Sequence, residues 1–161
     1  MTSFAEVYGT YAKDVFNFAL HLTRNSADAE DLTAETFARL WTARNVRLAT
    51  VKGYLFAIAR NLHIEQYRRH RPTEEVTEAV DGASSPEAIV VGRDQAARLW
   101  KVIQTMPEVD RSALLMRADG LPYDEIARIL GISLSNVKVK IHRARVKAAL
   151  LLKEDEHATR T

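Results

Sequence analysis

Apolar residues recur every three or four positions through most of the chain, which is the spacing of amphipathic helices. The first repeat begins after Ser3, and Ser3 and Glu6 have the spacing of a capping box. Asn25 and Ser26 interrupt the repeat and offer a new N-cap, and acids occupy the turns that follow. The pattern therefore predicts two helices. Their inward residues are Phe4, Val7, Tyr11, Val15, Phe18 and Leu22 in the first, and Ala29, Leu32, Phe37, Leu40 and Trp41 in the second.

The repeat is lost over residues 43–50 and returns after Thr50, a candidate N-cap. A third helix is predicted from there to about His70, because Arg71 precedes a proline. Its inward residues are Val51, Leu55, Ile58, Ala59 and Leu62. Residues 72–85 are acidic, small and weakly apolar, so they cannot bury enough surface to offset ordering. They indicate a flexible linker.

Prolines mark the starts of the later helices. Ser85 and Pro86 suit an N-cap and a first helical position, and Pro107 and Pro122 precede further helices. Gly131 suits the residue just after a helix. These helices are predicted to start at Pro86, with Ile89, Ala96, Ala97, Trp100 and Ile103 inward; at Pro107, ending near Gly120, with Val109, Leu114 and Leu115 inward; and to run over Tyr123–Leu130 and Leu134–Leu152.

No strand pattern occurs, so the predicted fold class is all-α, with two small helical domains joined by a flexible linker. The predicted segments are a domain over 1–71, the linker over 72–85, a domain over 86–152 and a frayed tail over 153–161.

Composition narrows the function classes. The 161 residues include 47% apolar and 27% charged residues, a balance that excludes wholesale disorder. Cysteine is absent, which excludes disulfides and thiolate sites, and neither a long apolar run nor a signal-peptide pattern occurs, so no membrane insertion is expected. Neither a glycine-rich phosphate loop nor a His-Glu-x-x-His pair is present, and the five histidines are scattered. We expect no catalytic residue, metal or cofactor.

A helix-turn-helix is the most specific local signal. Ile126 and Ala127 would face inward on a short helix, Gly131 makes the turn, and Val137 and Ile141 anchor the next helix. The face left exposed holds Lys138, Lys140, His142, Arg143, Arg145 and Lys147, without an acid between them. The alternative is an ordinary helical hairpin with a solvated basic face. DNA binding is favoured because a tight turn at Gly131, a small residue at Ala127 and a basic second helix occur together.

Helical spacing divides this basic helix. Positions 136, 139, 140 and 143 share a face, so we predict that Asn136, Lys140 and Arg143 approach bases and that Val139 offers an apolar contact. Lys138, Arg145 and Lys147 are then expected to lie toward phosphates.

Two further segments carry candidate chemistry. Residues 54–69 mix aromatic, amide and guanidinium groups, which suit single-stranded nucleic acid. Tyr54, Phe56 and Tyr67 could equally be core residues, and this alternative stays open. Residues 28–35 hold four acids and no base. An acidic surface would repel DNA, so we expect it to face protein or solvent, although acids near a helix start also compensate its dipole.

Taken together, the chain resembles the extracytoplasmic-function (ECF) sigma factors of the sigma-70 family, bacterial transcription initiation factors with region 2 and region 4 only. The blocks that carry the resemblance are Asp28–Trp41, Tyr54–Asn61 and Tyr123–Arg145, in this order and with a linker between the second and third. The likeness covers about residues 4–152.

The resemblance implies a sigma factor that binds core RNA polymerase, directs promoter-specific initiation and is controlled by an anti-sigma factor in the cytoplasm. The residues implied to dock on the beta-prime clamp helices are Asp28, Asp31, Leu32, Glu35 and Thr36. The residues implied to bind and melt the minus-ten element are Arg44, Asn45, Arg47, Lys52, Arg60, Asn61, Arg68 and Arg69, with Asn61 at a flipped-base pocket. The second domain is implied to bind the beta flap and, through the basic helix, the minus-thirty-five element.

Two alternative functions compete with this one. A stand-alone helix-turn-helix regulator would bind duplex DNA without polymerase, but it needs no arginine and aromatic helix for strand separation. A small nucleic-acid-processing enzyme would need clustered acids for metal near the basic helices, and the sequence does not offer them.

Overall fold

The computed structural model describes residues 3–42, 50–69 and 93–160, and within them every regular element is an α-helix. The helices are α1 (Phe4–Thr23), α2 (Ser26–Thr42), α3 (Val51–Arg69), α4 (Arg93–Gln104), α5 (Glu108–Ala118), α6 (Tyr123–Leu130) and α7 (Leu134–Arg160). The all-α prediction is confirmed. The chain divides into an N-terminal unit, Met1–Val80, and a C-terminal unit, Asp81–Thr161. The predicted linker over 72–85, its boundaries and the helix start at Pro86 lie outside the described residues.

The N-terminal helices begin where the sequence predicts, because polar side chains cap their free N–H groups. The backbone N–H of Glu6 donates to Ser3 Oγ at 3.2 Å, and that of Ser3 donates to Glu6 Oε2 at 3.3 Å, a complete capping box. Asn25 Oδ1 accepts from the N–H of Asp28 at 3.0 Å at the start of α2. These bonds fix where α1 and α2 begin.

The three N-terminal helices pack on one another around aromatic and aliphatic side chains. Phe18 of α1 stacks on Phe56 of α3, with ring centroids 4.7 Å apart, and both rings are buried. Phe56 is therefore a core residue, Tyr54 is half-buried, and Tyr67 is 62% exposed. Whether these aromatic residues belong to the core or remain accessible to nucleic acid therefore differs from one position to the next.

The predicted inward stripe of α2 is wrong at its end. Ala29, Leu32 and Phe37 are buried, but Leu40 is half-buried and Trp41 is 69% exposed. The indole packs its edge against Phe4 at 4.9 Å between centroids. Since Phe4 is the first residue of α1, only the beginning of that helix reaches Trp41, and most of the indole stays uncovered.

Helix α5 is rotated relative to its predicted orientation. Val109, Leu114 and Leu115, which the sequence predicts to be inward, are half-buried. The fully buried hydrophobic positions of α5 are Ala113 and Met116. Ala113 is small, which permits close packing, and half-buried Leu114 packs against a cluster of Val102, Met106 and Ala144.

Helix α7 also exceeds its prediction, running to Arg160 rather than ending at Leu152. Residues 153–160 contain neither glycine nor proline to stop it. Leu151 and Leu152 pack against a cluster of Val102, Met106 and Ala144, which ties the distal part of α7 to the unit.

The helix-turn-helix is confirmed in detail. Gly131 ends α6 in the left-handed conformation with φ 67°, and its N–H donates to the carbonyl of Ala127. Ile126 on α6 and Val137 and Ile141 on α7 are buried at the crossing. The turn therefore fixes the direction in which α7 leaves α6.

Candidate nucleic-acid and polymerase interfaces

Helix α7 exposes a cationic face opposite its buried one. Val137, Ile141 and Ala144 are buried against the unit. The exposed candidate residues are Asn136, Lys138, Val139, His142, Arg143, Arg145 and Lys147. No acid occurs between Leu134 and Lys153. The helix can therefore present donors to bases and positive charge to phosphates along its first four turns.

Lys140 does not belong to this exposed set. Its Nζ lies 3.1 Å from Oδ1 of Asp110 on α5, and the two side chains are only 23% and 14% exposed. Position 140 borders the buried stripe formed by Val137 and Ile141, so its side chain points toward α5. The expectation that Lys140 approaches bases is corrected: in this structure it forms an ion pair within the unit.

Tyr123 at the start of α6 lies close to the cationic side chains of Arg117 and Lys138. The sequence pattern did not predict that these two residues are neighbours. The guanidinium carbon of Arg117 lies 4.4 Å from the Tyr123 ring centroid, and Nζ of Lys138 lies 6.0 Å from it. Arg117 also donates to the carbonyl of Leu121 at 3.1 Å. Lys138 and Arg117 thus flank one aromatic ring beside the helix-turn-helix, although they are distant in sequence.

The acidic face of α2 is exposed in the N-terminal unit, where Asp28, Asp31 and Glu35 reach solvent. Leu32 and Thr36 do not, since they are 1% and 0% exposed. The Thr36 hydroxyl donates to the carbonyl of Leu32 at 2.6 Å. Their expected role as direct polymerase contacts is corrected: they pack the opposite side of α2 into the bundle and so orient the acids.

Glu35 links α2 to α3. Its Oε2 accepts from Nε2 of Gln66 at 3.3 Å, and its Oε1 lies 3.8 Å from Nη2 of Arg39. Between the two helices an open groove of about 590 Å³ is lined by Thr23, Asp28, Glu35, Arg39, Leu62, His63, Glu65, Gln66, Tyr67 and Arg69. The acidic face of α2 is therefore continuous with the polar end of α3.

The candidate minus-ten residues fall into three groups. Arg44, Asn45 and Arg47 lie outside the described residues. Asn61, Arg68 and Arg69 are exposed on α3, where Arg69 Nη2 lies 2.8 Å from Glu65 Oε1. Arg60 is half-buried, and Lys52 Nζ lies 3.3 Å from Asp14 Oδ2 on α1 with 22% of its side chain exposed.

The described ranges offer neither a metal site nor a membrane-spanning helix. They contain no group of three or more acidic or histidine side chains placed to hold a metal ion. None of their helices is long and apolar enough to cross a membrane.

Each unit matches the model of a known protein family. The model of sigma-70 region 2 matches residues 7–73, and the model of sigma-70 region 4 matches residues 96–147. Among solved structures, the chain is similar to the sigma factor RpoE in its complex with the anti-sigma factor NepR from Bartonella quintana. The TM-score is 0.71 at 22% identity, over 95% of this chain and 98% of that one. A second similar structure is CnrH in complex with the cytosolic domain of CnrY, with a TM-score of 0.68 at 22% identity, over 94% of this chain and 88% of that one.

Curated relatives narrow the family further. The ECF RNA polymerase sigma factor SigE of Mycolicibacterium smegmatis is 33% identical over 90% of this chain, which spans 60% of that protein's length. The ECF RNA polymerase sigma factor SigM of Bacillus subtilis is 31% identical over 91% of this chain and 93% of its own length. With both sigma regions matched and a relative of nearly the same extent, the chain belongs to the ECF family of RNA polymerase sigma factors.

Proposed function

We propose that this chain binds core RNA polymerase, directs it to a specific set of promoters, and is held inactive by an anti-sigma factor. The observation that carries the proposal is the division of charge between two units. One unit exposes an acidic helix, and the other exposes a cationic helix in a helix-turn-helix. A protein that must hold both an enzyme and DNA needs two surfaces of this kind.

Polymerase docking is assigned to α2. Asp28, Asp31 and Glu35 form an exposed acidic face, and Leu32 and Thr36 support it from within the bundle. The clamp helices of the beta-prime subunit are the proposed partner, with ion pairs across the interface. Charge complementarity of this kind steers association and penalises wrong partners.

Recognition and melting of the minus-ten element are assigned to α3. Asn61 offers an exposed amide that can bond a flipped base, and Arg68 and Arg69 can contact the backbone. Tyr67, 62% exposed at the same end of α3, offers a ring on which an unstacked base can lie. Arg44, Asn45 and Arg47, which lie outside the described residues, complete this proposal from the sequence.

Recognition of the minus-thirty-five element is assigned to α7, which enters the major groove. Asn136, Val139 and Arg143 are exposed at spacings of three and four and face bases, and Lys138 and Arg145 lie on another side of the helix toward phosphates. The beta flap is the proposed polymerase contact of the C-terminal unit. Nucleotide addition is the polymerase's own chemistry, so the chain is proposed to act as a non-enzymatic cytoplasmic subunit without a cofactor.

Control by an anti-sigma factor is proposed from the similar structure of RpoE, which holds NepR. The C-terminal unit also exposes apolar side chains along α7: Val139, Val146 and Leu150 are 47%, 44% and 58% exposed. A partner helix that covers them would lie beside Arg143 and so compete with DNA.

Transcription in vitro tests this function. Core RNA polymerase is supplied with a fragmented genomic library, with and without the chain, and start sites are mapped. We expect new start sites that share paired upstream elements and appear only when the chain is present. The stand-alone regulator would instead give tight, sequence-specific mobility shifts with the chain alone and no new start sites, which would contradict the proposal.

A further inference from the structure

The ion pair between Lys140 and Asp110 lies at the edge of α7, the helix proposed to bind DNA. The proposed function gives this ion pair no role. Lys140 is the one residue of the predicted cationic face that is not exposed. Its Nζ is 3.1 Å from Asp110 Oδ1, and 23% of its side chain is accessible. The carboxylate that holds it comes from α5, thirty residues earlier.

Three features hold the pair in place. Asp110 lies in the first turn of α5, where the helix dipole favours a carboxylate. Its own side chain is 14% exposed, so the attraction is screened less than in a surface pair. Lys140 lies between Val137 and Ile141, whose buried side chains fix α7 against the unit. Both residues are therefore already held in positions from which their side chains meet.

Its effect follows from what an unpaired lysine does on a DNA-binding helix. A lysine that reaches a phosphate adds affinity for every sequence alike and adds to the salt dependence of binding. A lysine held by a carboxylate on a neighbouring helix adds neither. We propose that Asp110 is a positioning residue that withholds Lys140 from DNA and so lowers the sequence-independent affinity of α7. This inference rests on the proposed DNA-binding function of the C-terminal unit.

The test uses the full chain assembled with core polymerase, and DNA duplexes with a cognate or a scrambled minus-thirty-five element. Binding is measured between 50 and 200 mM salt for the wild type, Asp110→Asn, Lys140→Gln and the double variant. One released phosphate contact steepens the slope of log affinity against log salt by about 0.9. Over this fourfold range, Asp110→Asn is therefore expected to lose about 3.5-fold more affinity than the wild type.

The other variants separate release of Lys140 from simple removal of a negative charge. Lys140→Gln alone should leave the wild-type slope unchanged. The double variant should return to the wild-type slope, because no lysine remains to be released. Asp110→Glu, which keeps the carboxylate, should also keep the wild-type slope. The ratio of cognate to scrambled affinity should be the same in all of them.

Several results would overturn the inference. If Lys140→Gln flattens the slope by about one ion, the lysine contacts phosphate in the wild type. If it changes the cognate ratio, the lysine recognises a base. If the double variant stays as steep as Asp110→Asn, the aspartate acts by repelling DNA. An unchanged slope in Asp110→Asn, with wild-type thermal unfolding, would mean that Lys140 stays withheld without the carboxylate. Failure of the proposed function is a separate result, since the wild type would then not distinguish the two duplexes.

Discussion

The N-terminal unit exposes acids along α2, whereas the C-terminal unit exposes cations along α7. Both units are small helical bundles with aliphatic and aromatic cores, so fold class alone does not separate them. The chemistry of one exposed helix face in each unit does. An acidic face is repelled by phosphates and a cationic face is attracted, so these two helix faces suit different partners.

The units also differ in how their functional surfaces are built. The proposed DNA-binding surface of the C-terminal unit lies on a single helix that follows one tight turn at Gly131. The N-terminal surface combines α2 and α3 through the contact of Glu35 with Gln66, thirty-one residues apart. A surface on one helix can be identified from local spacing, while a surface shared by two helices depends on how they pack.

Each unit contains an ion pair between a lysine and an aspartate on a neighbouring helix. Lys52 pairs with Asp14 at 3.3 Å in the N-terminal unit, and Lys140 pairs with Asp110 at 3.1 Å in the C-terminal unit. Both lysines were candidate DNA contacts, and both side chains are less than a quarter exposed. The accessibility of a basic residue in a predicted nucleic-acid-binding segment therefore depends on the neighbouring helices as well as on its spacing in the sequence.

Reversing a charge on α2 tests the acidic side of the comparison and has the largest expected effect. Asp31→Lys should weaken binding of the chain to core polymerase by about 2–5 kcal/mol, because it places like charges across the interface. Titration of fluorescently labelled chain with core enzyme measures this loss.

Glu30→Lys is the matched control, since Glu30 is an exposed neighbour turned about 100° around the helix from Asp31. It should weaken binding less than Asp31→Lys. Equal losses in both variants would show that net charge, rather than the face of α2, governs assembly.

Substitutions on α7 sharpen the cationic side. Arg143→Ala should cost about 1–3 kcal/mol on the cognate minus-thirty-five element and relax preference at one base position. Lys147→Ala should weaken all sequences similarly and flatten the salt dependence by about one ion. A panel of promoter variants transcribed at several salt concentrations distinguishes the two. The same uniform loss in both variants would contradict the division between bases and phosphates.

Glycine substitutions give the smallest effects, of opposite sign in the two units. Gly9 lies exposed in the second turn of α1, and a Cβ built there meets nothing within 4 Å, so Gly9→Ala should stabilise by about 0.5–1 kcal/mol. Gly131 has φ 67°, so Gly131→Ala should destabilise by about 1–2 kcal/mol. Thermal unfolding of both variants measures the changes. A destabilised Gly9→Ala variant would contradict the expectation that alanine fits this exposed position of α1 without strain.

Features with local causes were predictable from the sequence. Thr50 was expected to cap α3, and its Oγ1 accepts from the N–H of Gly53 at 3.0 Å. The turn at Gly131 and the buried anchors Val137 and Ile141 were likewise expected. In each case the deciding interaction lies within a few residues, so spacing alone carries the information.

Features with tertiary causes were not predictable. Trp41 continues the apolar repeat of α2, but its burial depends on whether α1 extends far enough to cover it. Lys140 has the spacing of a base contact, but its orientation depends on Asp110, thirty positions away. The roles of Asn61 and of the acids on α2 stay predictions, since they depend on partners outside the chain.

A randomised promoter library tests the division of labour between the two units most directly. Holoenzymes that contain the wild-type chain, Asn61→Ala or Arg143→Ala transcribe the library, and base preference is read from the transcripts at both elements. We predict that Arg143→Ala relaxes one position of the minus-thirty-five element and leaves minus-ten preference unchanged, and that Asn61→Ala alters minus-ten preference alone. Altered preference at both elements in either variant, or at neither in both, would contradict the account.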